Sequence, residues 1–210
     1  ASWSRGLGDV YKRQLNNLIK DEPFLKIENL RAGYGKMEIL HDFTLKISKG
    51  ESLCLIGPNG AGKSTVLHSI FGFTKIFSGS ISVCNENGEQ NITNLTPSEK
   101  LKEAGIAYIL QDNSVFPGMT VEENLWMGGY LKEKPEEAKE AAEEIFAKYE
   151  RLANRRNQPA RVLSGGERRL LEISRALVMK PQVLLVDEPS IGLHPRDNEN
   201  LIKVLKDLRD

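Results

Sequence analysis

The sequence predicts an α/β fold interrupted by a helical section, and three observations support this prediction. A continuous apolar run at 52–57 leads through a glycine-rich turn into the helical pattern of 63–72. Helical patterns then dominate from 96 to 163. Strand and helix signals alternate again from 164 onward. Because strands that alternate with helices are typical of α/β proteins, we expect the helical section to be an insertion in an α/β core.

The composition limits the kind of protein this can be. The 210 residues suffice for one substantial core, or for one core with a smaller appended lobe. Twenty-nine basic and 29 acidic residues balance, and no long basic run occurs, so the charge distribution does not indicate nucleic-acid binding. No apolar stretch approaches the roughly 20 residues of a membrane helix, and no signal peptide is recognisable. We therefore expect a globular protein that has a membrane role only through partners.

The first third of the chain predicts strands of two kinds. Residues 24–35 and 38–50 alternate apolar and polar side chains, as half-buried antiparallel strands do. The run SLCLIG at 52–57 is continuously apolar, which predicts a strand buried on both faces. Cys54 lies in this run and Cys84 in a further short strand. We expect both to be buried free thiols in a reducing cytoplasm rather than a disulfide pair.

The middle and the end of the chain carry helix signals. TPSE at 96–99 and TVEE at 120–123 are capping boxes that predict helix starts. Apolar residues recur at three- and four-residue steps in 135–152, which predicts a solvated amphipathic helix. LSGGE opens another helix that runs to about 180, and QVLLVDEP at 182–189 predicts an apolar strand that ends in two acids.

The motif GPNGAGKS at 57–64 fits the phosphate-loop pattern G-x-x-x-x-G-K-[ST] between a strand and a helix. In such a loop Lys63 supplies a cation to the β- and γ-phosphates, Ser64 offers its hydroxyl to Mg²⁺, and backbone N–H groups surround the phosphates. A chance glycine turn would not require this context. The residues expected to contact nucleotide here are Gly57, Pro58, Asn59, Gly60, Ala61, Gly62, Lys63, Ser64 and Thr65.

Two acids follow the apolar strand in VLLVDE. A carboxylate at the end of a buried strand can hold Mg²⁺, often through water, and a second one beside it can polarise the attacking water. We assign the first role to Asp187 and the second, catalytic, role to Glu188. Taken alone, the two acids could be a solvated strand end, but the phosphate loop earlier in the chain favours the metal interpretation.

Four motifs in this order, GPNGAGKST, a glutamine in YILQD, LSGGE and LLVDEP, resemble the nucleotide-binding subunit of an ABC transporter from about Phe24 to the end of the chain. The resemblance implies an α/β P-loop NTPase (RecA-like) core with an antiparallel β edge and an inserted α-helical subdomain. It also implies ATP and Mg²⁺ as cofactors. Two head-to-tail subunits of the family bind two nucleotides between them, so LSGGE of one chain would contact the ATP on the phosphate loop of the other.

The chemistry of LSGGE agrees with this implication. Ser164 can cap the helix and form a capping box with Glu167. The amides of Gly165 and Gly166, together with the helix dipole, favour a γ-phosphate that arrives from outside. An ordinary capped helix start would explain the serine and the glutamate but not the two glycines.

Two further positions match the family. Tyr34 resembles the aromatic residue that stacks on adenine, although a tyrosine between Gly33 and Gly35 could instead pack within a turn. Gln111 resembles the glutamine that senses Mg²⁺ and water and reports to the membrane subunit; a polar strand end is the alternative. The predicted catalytic residues are then Lys63, Gln111 and Glu188, and the predicted metal ligands are Ser64, Gln111 and Asp187.

The sequence departs from the family pattern in two places. Most of the family shows an Asp in the loop after DEP, where this chain has SIGLHP with His194, which we expect to be a surface loop residue. The switch histidine of the family lies on a strand after the last helix, whereas this sequence stops at Asp210. None of the three histidines can replace it: His41, His68 and His194. We therefore expect the 210-residue chain to bind ATP poorly and to hydrolyse it hardly at all.

The two ends of the sequence affect the domain prediction. Residues 9–14, DVYKRQ, can be back-translated into the transposon end of a common sequencing-library method. We expect residues 1–14 to be translated adaptor rather than a natural Arg-rich leader, and the C-terminal part of the domain to be missing. The expected single domain covers 15–210, with an α/β core at 24–110 and 164–210 and a helical subdomain at 111–163.

The segments 116–131 and 155–169 resemble one of the two ATPases of branched-chain amino acid importers. DEPSIGL also suits this subgroup, which often lacks the loop Asp. The resemblance implies a second ATPase subunit in a homo- or heterodimer, integral membrane permease subunits, and indirectly a periplasmic binding protein. It also implies a position at the cytoplasmic face of the inner membrane and no nucleic acid. ATPases of urea or lipopolysaccharide transporters, and soluble ABC ATPases acting on ribosomes or DNA, are the alternatives.

Overall fold

The computed structural model describes residues 23–85, 88–110 and 114–187. This part of the chain forms two compact units, and the division falls between Pro97 and Ser98. The first unit contains an antiparallel sheet and the helix that follows the glycine loop. The second contains two parallel strands and most of the helices.

The four strands of the first unit are β1 (Pro23–Tyr34), β2 (Met37–Ser48), β3 (Lys75–Asn85) and β4 (Gly88–Asn91). They form one antiparallel sheet in the order β2–β1–β3–β4. This sheet confirms the antiparallel strands predicted at 24–35 and 38–50. Strand β1 is central and contributes Leu25, Ile27 and Leu30 to the core, each at most 1% exposed.

Helix α1 (Lys63–Phe71) begins at the end of the glycine loop and packs against the sheet. Its apolar side chains Val66 and Ile70 are buried. The helix ends at Gly72, whose φ of 101° lies in the left-handed region and whose N–H donates to the His68 carbonyl. Glycine adopts this conformation without steric cost, so the predicted helix end is confirmed.

The apolar run 52–57 differs from its prediction. It forms no strand, and two of its large side chains are exposed, Leu53 to 37% and Ile56 to 91%. The predicted burial of Cys54 is therefore wrong, since this thiol is exposed, and Cys84 is only partly buried; both are free thiols. A strand becomes buried on both faces only when other strands flank it within a covered sheet. Among the described strands, none pairs with this run.

The second unit contains the short helix α2 (Pro97–Lys102) and the strands β5 (Ile106–Ile109) and β6 (Val183–Val186). The two strands are parallel, with Ile106 opposite Val183 and Ile109 opposite Val186. Their carboxyl ends therefore lie side by side. The apolar strand predicted before the two acids is confirmed as β6. In α/β proteins the carboxyl ends of parallel strands are where ligands bind.

Helices make up most of the remaining described part of the second unit: α3 (Val121–Gly128), α4 (Pro135–Lys148), α5 (Glu150–Ala153) and α6 (Gly165–Leu177). The predicted capping box of Thr120 and Glu123 starts α3. The amphipathic helix predicted at 135–152 is confirmed only to Lys148, where α4 ends before the separate short helix α5. The apolar face of α4 is buried in a core that also takes Leu125 from α3 and Leu171 from α6. No helix within the described ranges is long and apolar enough to cross a membrane.

Arg156 connects α3 and α4 at the surface of this core. Its guanidinium donates to the carboxylates of Glu122 and Glu143, with the Nε contact to Glu122 at 2.8 Å. The same group lies over the Phe146 ring, 4.8 Å from the ring centre. The hydrogen bonds that Arg156 donates to the carboxylates of Glu143 and Glu122 raise the pKa of Arg156 above its ordinary value. Arg156 and the two glutamates thus form an ion-pair network at the edge of the helical core.

Close approach of α3 to α6 and α4 depends on a glycine pair at the end of α3. A Cβ built on Gly128 would lie 2.3 Å from the carbonyl oxygen of Arg175. A Cβ on Gly129 would lie 2.6 Å from the Cβ of Ala138. Larger residues would therefore push these helices apart.

Gly128→Ala tests this packing. Because the added methyl group meets backbone rather than a movable side chain, we expect the free energy of unfolding to fall by about 1–3 kcal/mol in urea denaturation. Gly118→Ala is the matched control, since a Cβ there meets nothing within 4 Å, and we expect a change below about 0.5 kcal/mol. Equal values for the two variants would contradict the close-packing account.

Candidate functional site

The glycine loop at 57–62 leads directly into the amino-terminal end of α1. Gly60 and Gly62 have φ values of 80° and 85°, in the region that favours glycine. None of the described side chains caps the start of α1, and its first turn holds no acidic residue. The positive end of the helix dipole therefore faces the loop without a carboxylate to oppose it. This arrangement suits an anionic ligand such as a phosphate.

Lys63, the first residue of α1, closes the loop on itself. Its ammonium group donates to the carbonyl oxygens of Gly57 and Pro58, both at 2.9 Å. Among the described residues, no carboxylate forms an ion pair with Lys63. Two neutral carbonyls hold the cation in place but leave its charge uncompensated. The remaining positive charge adds to that of the helix end.

Tyr34 lies beside α1 rather than only within its own turn. Its hydroxyl oxygen is 2.5 Å from Nδ1 of His68, which lies on α1. The His68 ring in turn makes an edge-to-face contact with Phe73, with ring centres 5.8 Å apart. Tyr34 is 42% exposed, so part of its ring is accessible to a ligand. Adenine stacking stays a prediction for Tyr34, and the contact with His68 was not foreseen from the sequence.

Asp187 follows β6 and is buried at 7% exposure. The hydroxyl of Tyr108, on the neighbouring strand β5, donates to its Oδ2 at 3.0 Å. The Asp187 N–H donates to the Ile109 carbonyl at 3.1 Å, which continues the strand pairing. The carboxylate is therefore held in one orientation at the carboxyl ends of the two strands. A metal-binding carboxylate is commonly fixed by such a hydrogen bond.

Tyr108 was not identified from the sequence as part of this site. The sequences of the two strands, IAYI and VLLV, show no pattern that predicts a hydrogen bond between Tyr108 and Asp187. Only the parallel register, in which Tyr108 lies opposite Leu185, brings its hydroxyl within reach of Asp187.

The LSGGE motif forms the start of α6 with the predicted capping box. Ser164 Oγ accepts from the Glu167 N–H at 3.3 Å, and Glu167 Oε2 accepts from the Ser164 N–H at 2.9 Å. Arg155 Nε also donates to Glu167, at 3.3 Å. These contacts, with the Ser164 N–H the strongest, hold the pKa of Glu167 below its ordinary value. Ser164 and Gly165 are exposed, so the start of this helix is open to a ligand from outside the chain.

Three predicted residues lie outside the described residues: Gln111, Glu188 and His194. Within the described ranges, no cluster of three His, Cys, Asp or Glu side chains could hold a metal ion by itself. The predicted ligands Ser64 and Asp187 offer a hydroxyl and a carboxylate oxygen, which are the donor types that Mg²⁺ prefers. Mg²⁺ is usually bound by one or two carboxylates together with substrate phosphates, so each of these two donors would fit Mg²⁺ only in combination with a nucleotide.

The chain is similar to proteins of one family. The family model described as ABC transporter matches residues 40–191. The high-affinity branched-chain amino acid transport ATP-binding protein BraG of Pseudomonas aeruginosa is 38% identical over 185 residues, covering 88% of this chain and 77% of BraG. The probable branched-chain amino acid transport ATP-binding protein LivF of Archaeoglobus fulgidus is 40% identical over 186 residues, covering 89% of this chain and 76% of LivF.

Solved structures agree with this similarity. An ATP-binding cassette of an ABC transporter in its ADP conformation matches with a TM-score of 0.76 and 31% sequence identity. The match covers 90% of this chain and 78% of that chain. It confirms the predicted fold class, a P-loop NTPase core of α/β type with an antiparallel β edge and an inserted helical subdomain.

Tyr108→Phe tests whether the Asp187 carboxylate is a metal ligand that Tyr108 orients. The substitution removes the donating hydroxyl and keeps the ring. We expect the Mg²⁺ concentration for half-maximal binding of a fluorescent ATP analogue to rise about ten-fold. Tyr130→Phe is the control, because Tyr130 is 61% exposed, and it should leave the Mg²⁺ titration unchanged. Equal titrations for both variants would remove Tyr108 from the site.

Proposed function

Because the chain belongs to the family of ABC transporter ATP-binding proteins, we propose that it is the ATP-hydrolysing subunit of an importer for branched-chain amino acids. The observation that supports ATP binding most strongly is the start of α1. There a loop with two left-handed glycines meets a helix start that no described side chain caps, and Lys63 forms no ion pair with a described carboxylate. The proposed substrate class rests on the likeness to the branched-chain amino acid transport proteins BraG and LivF.

The residue roles in this proposal follow from their chemistry. Lys63 and the loop amides bind the β- and γ-phosphates, which Lys63 can do after its ammonium leaves the carbonyls of Gly57 and Pro58. Tyr34 stacks on adenine. Ser64, Gln111 and Asp187 would hold Mg²⁺, which neutralises charge on the phosphates. Glu188 polarises the attacking water, as a carboxylate beside the metal-binding one can.

The exposed start of α6 supports a head-to-tail dimer. In the capping box, the side chains of Ser164 and Glu167 each accept a hydrogen bond from the other's backbone N–H. These two N–H groups therefore need no ligand. The two glycines that follow provide backbone N–H groups at the positive end of a 13-residue helix. We propose that these groups bind the γ-phosphate of an ATP that rests on the phosphate loop of a second ATPase subunit.

The further partners of this proposal are two permease subunits in the membrane and, through them, a periplasmic binding protein. The ATPase subunits lie at the cytoplasmic face of the inner membrane. We propose that the helical subdomain at 111–163, inserted in an α/β core at 24–110 and 164–210, receives a cytoplasmic helix of the permease. Closure of the ATPase dimer by ATP then moves the permease, and hydrolysis reopens the dimer.

Glu188→Gln, made in an intact version of the domain that includes the family's switch histidine, tests ATP-driven dimer formation. Since the variant keeps the shape of Glu188 but cannot polarise water, bound ATP should persist and hold two chains together. We expect sedimentation at twice the monomer mass in millimolar MgATP, and at the monomer mass without nucleotide. Lys63→Ala in the same background should stay monomeric in MgATP. A Glu188→Gln chain that stays monomeric at saturating MgATP would contradict the proposed sandwich.

Ser164→Ala separates the capping role of Ser164 from its proposed contact with the partner's ATP. The control is Thr120→Ala, which removes the equivalent acceptor of the Glu123 N–H at the start of α3. Both variants should lose about 1 kcal/mol of stability. In the Glu188→Gln background, only Ser164→Ala should raise the MgATP concentration needed for dimer formation. The same shift in both variants would show that the effect is structural.

A further inference from the structure

Arg169 is a buried cation on α6, two residues after the LSGGE motif, and is 7% exposed. Its Nη1 donates to the Leu110 carbonyl at 3.1 Å, and its Nη2 donates to the Asp187 carbonyl at 3.4 Å. These carbonyls belong to the residues directly before Gln111 and Glu188. One guanidinium therefore bridges the carboxyl ends of the two parallel strands.

The charge of Arg169 is balanced on its own helix. Glu172 Oε2 accepts from Nη1 at 2.7 Å, and this carboxylate is also buried. A buried ion pair of this kind contributes little net stability, because removing both ions from water costs about as much as their attraction returns. In addition, Arg169 Nε is buried and has no hydrogen-bond partner among the described residues. Such a costly arrangement is not explained by stability.

The shape of the arginine fork accounts for the arrangement. Arginine carries five N–H donors in a rigid plane, so it can contact two carbonyls and a carboxylate at once. Lysine has a single ammonium and cannot span the same positions. Helix α6 also packs on the strands through Ile173, which shares an apolar cluster with Ile109. The fork and this contact together tie α6 to the ends of β5 and β6.

We propose that Arg169 is a positioning residue that transmits the state of the LSGGE end of α6 to the residues following β5 and β6. This inference rests on the proposed function, in which LSGGE contacts the ATP of the partner chain. Gln111, Asp187 and Glu188 serve the ATP on the chain's own phosphate loop. Arg169 then couples the two nucleotide sites of the dimer. When the γ-phosphate of the partner's ATP displaces α6, Arg169 shifts the backbone of Leu110 and Asp187, and with it the proposed metal and water ligands of the chain's own ATP.

The double variant Arg169→Met/Glu172→Met tests the coupling without leaving a buried unpaired charge. Replacing both partners by apolar side chains of similar length should leave the thermal unfolding midpoint nearly unchanged. Amide hydrogen exchange at the ends of β5 and β6 should become about ten-fold faster, while exchange in α3 and α4 stays the same. The matched control, Arg156→Met/Glu122→Met, removes an ion pair of the helical core and should not affect the strand ends.

The same variants in the Glu188→Gln background give the functional readout. Without Arg169, the MgATP concentration for half-maximal dimer formation should rise about ten-fold, and ATP affinity of the single chain should change less than two-fold. Arg169→Lys keeps the charge opposite Glu172, so hydrogen exchange at the strand ends and the MgATP concentration for dimer formation should both rise, by a smaller factor. This single variant is used if the double variant does not fold.

Two results would overturn the coupling. One is unchanged exchange at the strand ends together with unchanged dimer formation; the other is exchange that rises equally in α3 and α4, which indicates a merely structural pair. If the parent Glu188→Gln chain itself forms no dimer in MgATP, the proposed function fails instead, and hydrogen exchange still decides whether Arg169 holds the strand ends.

Discussion

The packing of helix α6 on two different partners is the interaction on which the second unit depends. Leu171 of α6 and Val178 just after the helix are buried in the helical core, whereas Ile173 packs with Ile109 on the side of the parallel strands. Burial of each large apolar side chain contributes about 1.5–3 kcal/mol, so the helix is held on both sides. The LSGGE end of α6 is consequently fixed relative to Asp187 within this unit.

The electrostatics of a triphosphate explain why the chain has two glycine-bearing helix starts. Backbone N–H groups and a helix dipole bind phosphate well, but only when no nearby carboxylate occupies the same position. At α1 this condition is met by Lys63 and the absence of acid from the first turn. At α6 the single acid, Glu167, is engaged by the Ser164 N–H and by Arg155. Both helix starts are therefore suited to phosphate, and a head-to-tail dimer uses both.

Local patterns predicted a large share of the fold and of the candidate site. The β1–β2 hairpin, the glycine that ends α1, and the capping boxes at Thr120 and Ser164 depend on neighbours within a few residues, which the sequence displays directly. The run 52–57 was predicted as a buried strand from its apolar residues alone, but burial depends on flanking strands, and Leu53 and Ile56 are exposed. Tyr108 and Arg169 act through carbonyls and a carboxylate from distant parts of the chain, and no local pattern marks them.

Mixing two defective chains tests most directly whether LSGGE and the phosphate loop of one chain serve different nucleotides. In the Glu188→Gln background, one chain carries Lys63→Ala and the other Ser164→Ala, and each alone forms dimers poorly in MgATP. A mixed dimer contains one site with an intact loop and an intact motif. The account predicts that the mixture forms dimers, with one ATP bound per dimer, at MgATP concentrations where neither variant does so alone. A mixture that stays monomeric would contradict it and would place both motifs at the same nucleotide.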